Sequence, residues 1–300
     1  MFTFRNMSRL KHPESHYLDL VKHTLLFGSN ETRRNGKVKT HIGGALRFDL
    51  NNNVMPILTT KKLAWKSCLK ELLWFINGDT NNNTLVNQGV KIWNKNASKE
   101  FLKTRGLARY KENDLGPIYG HQWRHFNAHY YTCDYNYSGM GMDQLAYIVR
   151  NLKDEKQRTS RRLVMSAWNP TQLSEMALPP CHVLSQYHVT DDNKLTCTVY
   201  QRSADLGLGL PFNIASYSFL THLLAHHCDL EATELIMFIG NCHIYDDHEN
   251  GLNQQIDRFP YTFPTLEISE LRKNMEDYKF TDFKINDYES HDKIIMEMRE

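Results

Sequence analysis

The sequence contains no run of the ~18 apolar residues that a membrane helix requires. Its first fifteen residues, MFTFRNMSRLKHPES, lack the apolar h-region of a secretory signal. No charge of one sign dominates: 36 Lys and Arg face 34 Asp and Glu, a formal +2. A global field that would coat the chain with polyanion is therefore excluded, and an anion site has to come from a local arginine cluster. The six cysteines, Cys68, Cys133, Cys181, Cys197, Cys228 and Cys242, form no CxxC and lie scattered, which is no disulfide framework. No repeat, long linker or composition break divides the chain. These absences predict one soluble cytoplasmic domain over residues 1–300 with reduced thiols and no membrane partner.

What is present is ordinary globular material, 41% apolar and 23% charged, enough for a sizeable core. Ser15 is a candidate cap for a first helix striped by Leu18, Val21, Leu25 and Leu26. The basic stretch from Thr32 to Lys37 reads as a solvated loop, and a strand pair is expected between Val38 and Leu50. Residues 51–53 are a turn. Ala64 to Asn77 predicts an apolar helix with Leu69, Leu72, Leu73 and Ile76 on its core face. Residues 94–142 read as charged, tyrosine-rich loop, and Asp143 to Leu152 as a helix. Strands are expected at Leu163–Trp168, at His182–Val189, through Leu195, Cys197 and Val199, and at Leu235–Ile239. A helix should run from Asn213 to Cys228. The economical reading is one α+β domain with a central sheet covered by helices.

The chemistry begins at Leu178-Pro179-Pro180-Cys181-His182-Val183. Taken alone, these residues favour a buried, inert thiol over a nucleophile at Cys181. Spacing alone likewise favours an exposed-face residue for Glu71, since burying a charge is costly. Among fifteen histidines, His222 and His226 stand at i, i+4, with His227 and Cys228 beside them. No Glu completes an HExxH and no cysteine pair gives zinc spacing, so no metal site is expected. Arg34, Arg161, Arg162 and Arg202 stand at loops and strand ends, and guanidinium forks match phosphate oxygens. Spacing leaves open whether the four converge or are independent surface arginines. The run from Gln201 to Tyr217, QRSADLGLGLPFNIASY, takes a strand through polar residues and glycines into a helix.

That run and LPPCHV together resemble the thymidylate synthase family. So do Arg47-Phe48-Asp49-Leu50, Glu71-Leu72-Leu73-Trp74-Phe75, Lys91-Ile92-Trp93, Asp114 to Gly120 (DLGPIYG), Ala167-Trp168-Asn169-Pro170 and His243-Ile244-Tyr245. The matches run from about residue 15 to the C-terminus. The insertion near residues 100–112 and the ending Met296-Glu297-Met298 are of the eukaryotic type. The resemblance implies conversion of dUMP to dTMP, with methylenetetrahydrofolate as carbon and hydride donor and dihydrofolate as product. Cys181 would be the nucleophile that adds to carbon six of uracil, its pKa lowered by arginine. Arg34, Arg202 and Ser203 would hold phosphate, with Arg161 and Arg162 donated by a second subunit. An obligate homodimer with sheets packed back to back and two shared sites follows from that.

The resemblance further implies that Asn213 reads the base, its amide supplying donor and acceptor together. His243 and Tyr245 would hold the sugar hydroxyl. Asp205 and Trp93 would form the folate site, with Gly209, Glu71 and Met298 around it and Asp205 also beside the nucleotide. Glu71 and Tyr119 would transfer protons, and His182 would order water beside the nucleophile. Three departures stand out: Asn241 where the pattern has aspartate, Lys62 where many relatives have arginine, and Arg299-Glu300 where they end in an apolar pair. The expectation for the tail is that Met296 and Met298 cover the folate, with the charged pair at the rim and Lys62 holding a tail carboxylate. A pyrimidine deoxynucleotide hydroxymethylase is the rival enzyme, and a degenerate homologue that binds RNA or another partner is the rival binder. Asn213 disfavours a cytosine enzyme, and the retained Cys181, Arg202, Asp205 and Asn213 disfavour the binder. RNA binding itself stays open at this stage.

Overall fold

The computed structural model of the protein describes residues 12–33 and 36–299. Helix α1 (Ser15–Phe27) leads into strands β1 (Ser29–Arg33) and β2 (Gly36–Asp49). Helices α2 (Trp65–Ile76), α3 (Asn82–Val86), α4 (Lys99–Thr104), α5 (Tyr119–His125) and α6 (Gln144–Lys153) follow. Strands β3 (Val164–Ser166), β4 (His182–Val189) and β5 (Lys194–Asp205) come next, then helix α7 (Gly209–His227) and strand β6 (Glu231–Tyr245). Helix α8 (Glu249–Ile256) and the small pair β7 (Thr265–Ile268) and β8 (Phe283–Asn286) complete the described chain. The six-stranded sheet has the order β1-β2-β6-β5-β4-β3, antiparallel throughout except for the parallel pair β5–β6. This is a single α+β domain built on a mixed sheet. Among the described residues no helix is long and apolar enough to cross a membrane.

A parallel pair needs a crossover, and α7 supplies it. This helix is buried nearly all round and packs against β5, β6 and α2. A sequence apolar on every side is the mark of a helix inside a core. The same sheet face carries Leu46, Phe48, Tyr187, Cys197, Val199, Leu235 and Met237, all buried. On the other face Tyr200 and Phe238 are register partners and both are exposed.

Several expected boundaries shift. Ser15 is the first helical residue, not the cap, because Glu14 occupies the cap position and turns its carboxylate inward. That carboxylate is fully buried and accepts four hydrogen bonds of 2.5 to 3.0 Å, from the backbone and hydroxyls of Thr59 and Thr60. Leu26 points to solvent, off the stripe of Val21 and Leu25. The expected strand pair after Val38 is one strand, β2, whose partner β1 lies before it in the chain. Its ladder with β6 steps past Gly43, which has φ +85°, so the glycine marks an irregularity inside the strand rather than a turn. The basic stretch is not all loop: Thr32 and Arg33 belong to β1 and Gly36 and Lys37 to β2. Short helices α4 and α5 sit inside the segment read as loop. Helix α7 starts at Gly209 rather than Asn213, with Pro211 in its first turn, where a missing N–H costs nothing. Strands β5 and β6 run on to Asp205 and Tyr245, beyond the alternating apolar residues that predicted them.

Candidate active site

Cys181 stands directly before β4, after two prolines that cannot donate to a ladder. Its backbone N–H donates to the Tyr119 hydroxyl at 2.7 Å, and its carbonyl accepts the Arg202 backbone N–H at 2.9 Å. The Arg202 side chain donates from Nε to the Pro180 carbonyl (2.8 Å) and from Nη2 to the Pro179 carbonyl (2.9 Å). That clamp leaves Nη2 3.9 Å from the Cys181 sulphur. The guanidinium also lies 5.6 Å from the Trp168 ring centre. Burial pushes the thiol above its ordinary value and Arg202 pulls it back by less. Arg202 thus acts in the expected direction on the thiol, against a larger effect of burial. Cys68, Cys197, Cys228 and Cys242 are buried, while Cys181 is partly accessible with a guanidinium beside it.

Helix α2 presents Glu71, whose Oε1 accepts the indole N–H of Trp93 at 2.7 Å. Burial pushes this carboxyl up to about 7, against the opposing pull of that N–H. A carboxyl poised there holds or releases a proton near neutrality. The Trp93 ring stands edge-on to Tyr119 at 6.2 Å. Tyr119 in turn stacks on His182 at 4.1 Å. His182 is buried, shares a hydrogen bond of 2.8 Å with the Tyr217 hydroxyl, and is pushed down to about 3 by burial. It is therefore a neutral imidazole at physiological pH, suited to hydrogen bonding and not to carrying charge. Because the Tyr119 oxygen accepts from Cys181, its own O–H proton is free to point elsewhere.

The ends of β5 and β6 bring a second group together. Ser203 pairs in register with Asn241, and Asp205 with His243. The Asn241 side-chain oxygen lies 3.1 Å from His243 Nδ1, so the amide keeps an acceptor where the family pattern has a carboxylate. Asp205 accepts the backbone N–H groups of Gly207 (2.8 Å) and Leu208 (3.2 Å) at the start of α7. Burial alone would raise the Asp205 carboxyl, but His248 and the Gly207 N–H outweigh it and hold it below its ordinary value. Of the roughly four acceptor positions of a carboxylate, two remain for a ligand's N–H groups. Asn213, early in α7, has its side-chain oxygen held by Gln201 Nε2 at 2.8 Å.

Not every expected residue joins this group. Arg161 and Arg162 are exposed just before edge strand β3, and among the described residues neither guanidinium makes a hydrogen bond or ion pair. Arg34 lies outside the described residues. Met298 is 48% exposed, while Met296 packs against Gly207 and Gly251. Arg299 pairs with Asp247 at 2.8 Å on the surface, and Glu300 lies outside the described residues. Lys62 is exposed and makes no ion pair among the described residues; it is Lys61 that reaches inward, bonding the Gly207 carbonyl. The His222 ring nitrogen lies 2.9 Å from the Val54 carbonyl, and that of His226 lies 3.1 Å from the Glu270 carbonyl.

Four residues escaped sequence reasoning. Gln201 is buried opposite His182 in the ladder, bonds Asn213 and Ser203, and keeps its Oε1 without a partner. Its place next to Arg202 in the polar run was the only signal. Lys61, pushed down to about 8 by burial against the opposing pull of Asp205 and Glu14, was hidden behind Lys62. Tyr217 stood at the end of the same run with no role assigned to it, and His248 gave no signal beyond its residue type.

Residues 15–300 match the family model described as thymidylate synthase. Thymidylate synthase 1/2 of Encephalitozoon cuniculi is 48% identical over 291 residues, covering 96% of this chain and 98% of that protein. Thymidylate synthase of Saccharomyces cerevisiae is 45% identical over 295 residues, covering 95% of this chain and 96% of that protein. Bifunctional dihydrofolate reductase-thymidylate synthase of Plasmodium berghei is 46% identical over 296 residues, but the match covers 98% of this chain and only 50% of that protein. The chain spans about half the length of the bifunctional Plasmodium relatives it matches. A match over nearly the whole domain, on a chain whose thiol, guanidinium and raised carboxyl lie within one network of contacts, leaves one assignment: this chain belongs to the thymidylate synthase family.

Proposed function

We propose that the protein converts dUMP to dTMP by reductive methylation. The observation that carries this reading is the contact network running from Glu71 through Trp93 and Tyr119 to Cys181, with Arg202 at the sulphur. Cys181, as thiolate, adds to carbon six of the uracil ring, which makes carbon five nucleophilic. A thiol raised by burial needs charge stabilisation to ionise, and Arg202 is the cation within reach. Arg202 and Ser203, together with Arg34, take the nucleotide phosphate, and His243 and Tyr245 the sugar hydroxyl. Asn213 reads the base: Gln201 holds its side-chain oxygen, which leaves the amide N–H available as a donor for a uracil carbonyl. Glu71, near half-protonated at neutrality, moves protons together with the Tyr119 hydroxyl, and His182 orders water beside the thiol.

Asp205, Trp93 and Gly209 would hold methylenetetrahydrofolate, which when bound supplies the one-carbon unit and the hydride and leaves as dihydrofolate. The Asp205 carboxylate orients it through N–H donors, Trp93 offers a flat face, and the chain end with Met296 and Met298 excludes water. The protein works in the cytoplasm as a homodimer. The open sheet face with Tyr200, Phe238 and Val164 exposed supports sheet-to-sheet pairing of two copies, because an exposed apolar face of this kind favours association. Arg161 and Arg162, unpaired in their own subunit, then serve the neighbour's phosphate site.

Incubation with dUMP and methylenetetrahydrofolate, followed by dihydrofolate absorbance and product chromatography, tests the reading. Stoichiometric dTMP and dihydrofolate are expected. Hydroxymethylated nucleotide without dihydrofolate would assign the rival enzyme, and no product would leave a binding protein.

A further inference from the structure

The C-terminal segment after β8 has no regular structure, and its backbone is held at a few places. The His291 N–H donates to the Thr59 carbonyl (2.8 Å), and Arg258 donates to the Asp292 carbonyl (2.9 Å). The last of these clamps is His248 Nε2, 2.7 Å from the Glu297 carbonyl. Beyond it, among the described residues, only the surface pairing of Arg299 with Asp246 and Asp247 fixes the end, and an exposed ion pair contributes little.

His248 is placed unusually for a surface-turn residue. It closes the 3-10 turn Asp246–His248 after β6, yet its side chain is fully buried. Its ring stands edge-on to Tyr245 at 5.4 Å. Its other nitrogen, Nδ1, is buried without a hydrogen-bond partner and lies 3.6 Å from the Asp205 carboxylate. Room for the ring depends on Gly207: a Cβ there would sit 2.5 Å from His248 Nδ1 and 3.1 Å from the Met296 sulphur. One imidazole thus touches the carboxylate of the folate corner on one side and the chain end on the other.

We infer that His248 is a positioning residue, clamping the C-terminal segment over the Asp205–Gly207 corner and so setting affinity for the reduced folate. The inference rests on the folate reading of Asp205, and the clamp itself rests on geometry alone. With Nε2 as donor to a carbonyl, Nδ1 is left as an acceptor or carries a second proton toward Asp205. Asp205, Asp247 and the Glu297 carbonyl together raise the imidazole above its ordinary value against the opposing effect of burial, which favours the second state. Either state keeps the Nε2 donor, so the clamp persists while the charge on the corner adjusts.

The test compares full-length wild type with His248→Phe, which removes the donor, and His248→Gln, which restores an N–H at similar reach. Hydrogen–deuterium exchange of the free proteins reads the clamp without any turnover. Loss of one buried hydrogen bond predicts that exchange at residues 293–299 quickens about tenfold in the Phe variant and returns toward wild type in the Gln variant. Under assay, KM for folate should rise about tenfold in the Phe variant while KM for dUMP stays within about twofold, with Gln again rescuing. Wild-type tail exchange in the Phe variant overturns the proposal, and so does an equal loss in both variants. If wild type makes no dTMP, the folate reading falls while the exchange arm still decides the clamp.

Discussion

Arg202 holds the two prolyl carbonyls that precede Cys181 and stands 3.9 Å from its sulphur, so one side chain both shapes the loop before Cys181 and sets a cation beside the thiol. Replacing Arg202 by Met keeps bulk and removes the charge and all donors. The thiol, already raised by burial, should rise further, so the pH profile of iodoacetamide alkylation at Cys181 moves to higher pH. Turnover should fall by about 10² or more, given the loss of a charge-assisted contact. An unmoved alkylation profile would show that the guanidinium does not act on the sulphur.

Cys181→Ser should lower turnover by at least ~10⁴, because a hydroxyl at this position lacks a base strong enough to activate it. Nucleotide affinity, measured by calorimetry, should stay within about threefold, since the remaining contacts survive. Near wild-type turnover would exclude the covalent route.

Glu71 gives a pH prediction with a definite sign. Its folded pKa of about 7 lies above the ordinary 4.5. Between those values the folded chain keeps a proton that the unfolded chain has released, so stability falls as pH rises through the window and stays lower above it. Glu71→Gln should therefore gain melting temperature relative to wild type from pH 5 to pH 8, while turnover drops by about 10² to 10³ for want of a proton carrier. Parallel melting curves for the two proteins across that range would refute the raised carboxyl.

Asn213→Asp should shift preference from dUMP toward dCMP. A carboxylate only accepts, so a uracil carbonyl facing it is left unpaired at a cost of roughly 1–3 kcal/mol. The ratio of kcat/KM for the two nucleotides is the measurement, and an unchanged ratio argues against Asn213 as base reader.

Mixing inactive Cys181→Ser protein with inactive Arg161→Ala/Arg162→Ala protein should restore activity. Random exchange gives half heterodimers, each with one intact site, so about a quarter of wild-type activity is the ceiling for equal mixing of interchangeable subunits. No recovery after demonstrated subunit exchange would place both arginines in their own subunit's chemistry.

Much of the fold was legible because the signals are local. Helix α2 and strand β4 fall where periodicity puts them, since apolar side chains have to face one way. The boundaries that moved are those set by distant partners. Glu14 fixes the start of α1 through Thr59 and Thr60, 45 and 46 residues away. The polar ends of β5 and β6 stay in the ladder because each is the other's neighbour, which composition cannot announce. In the site, motif residues with unusual chemistry were readable one by one. Gln201, Lys61, Tyr217 and His248 were not, because each matters through a contact 12 to 146 residues away.

The parallel pairing of β5 with β6 has one more consequence. Ser203 and Asp205 on one strand, and Asn241 and His243 on the other, form alternate rungs, with Ala204 and Cys242 between them. A slip of two residues would keep each apolar side chain on its own face, so burial alone discriminates weakly against it. It would nevertheless carry Asp205 two residues from His243 and scatter the proposed sugar and folate contacts. A nucleotide spanning both strands would then act as a gauge of register, binding only the correctly zipped sheet and raising its population by mass action. Refolding from denaturant with dUMP present should accordingly give a higher yield of active protein than refolding without it, with the gain growing as nucleotide concentration passes its Kd.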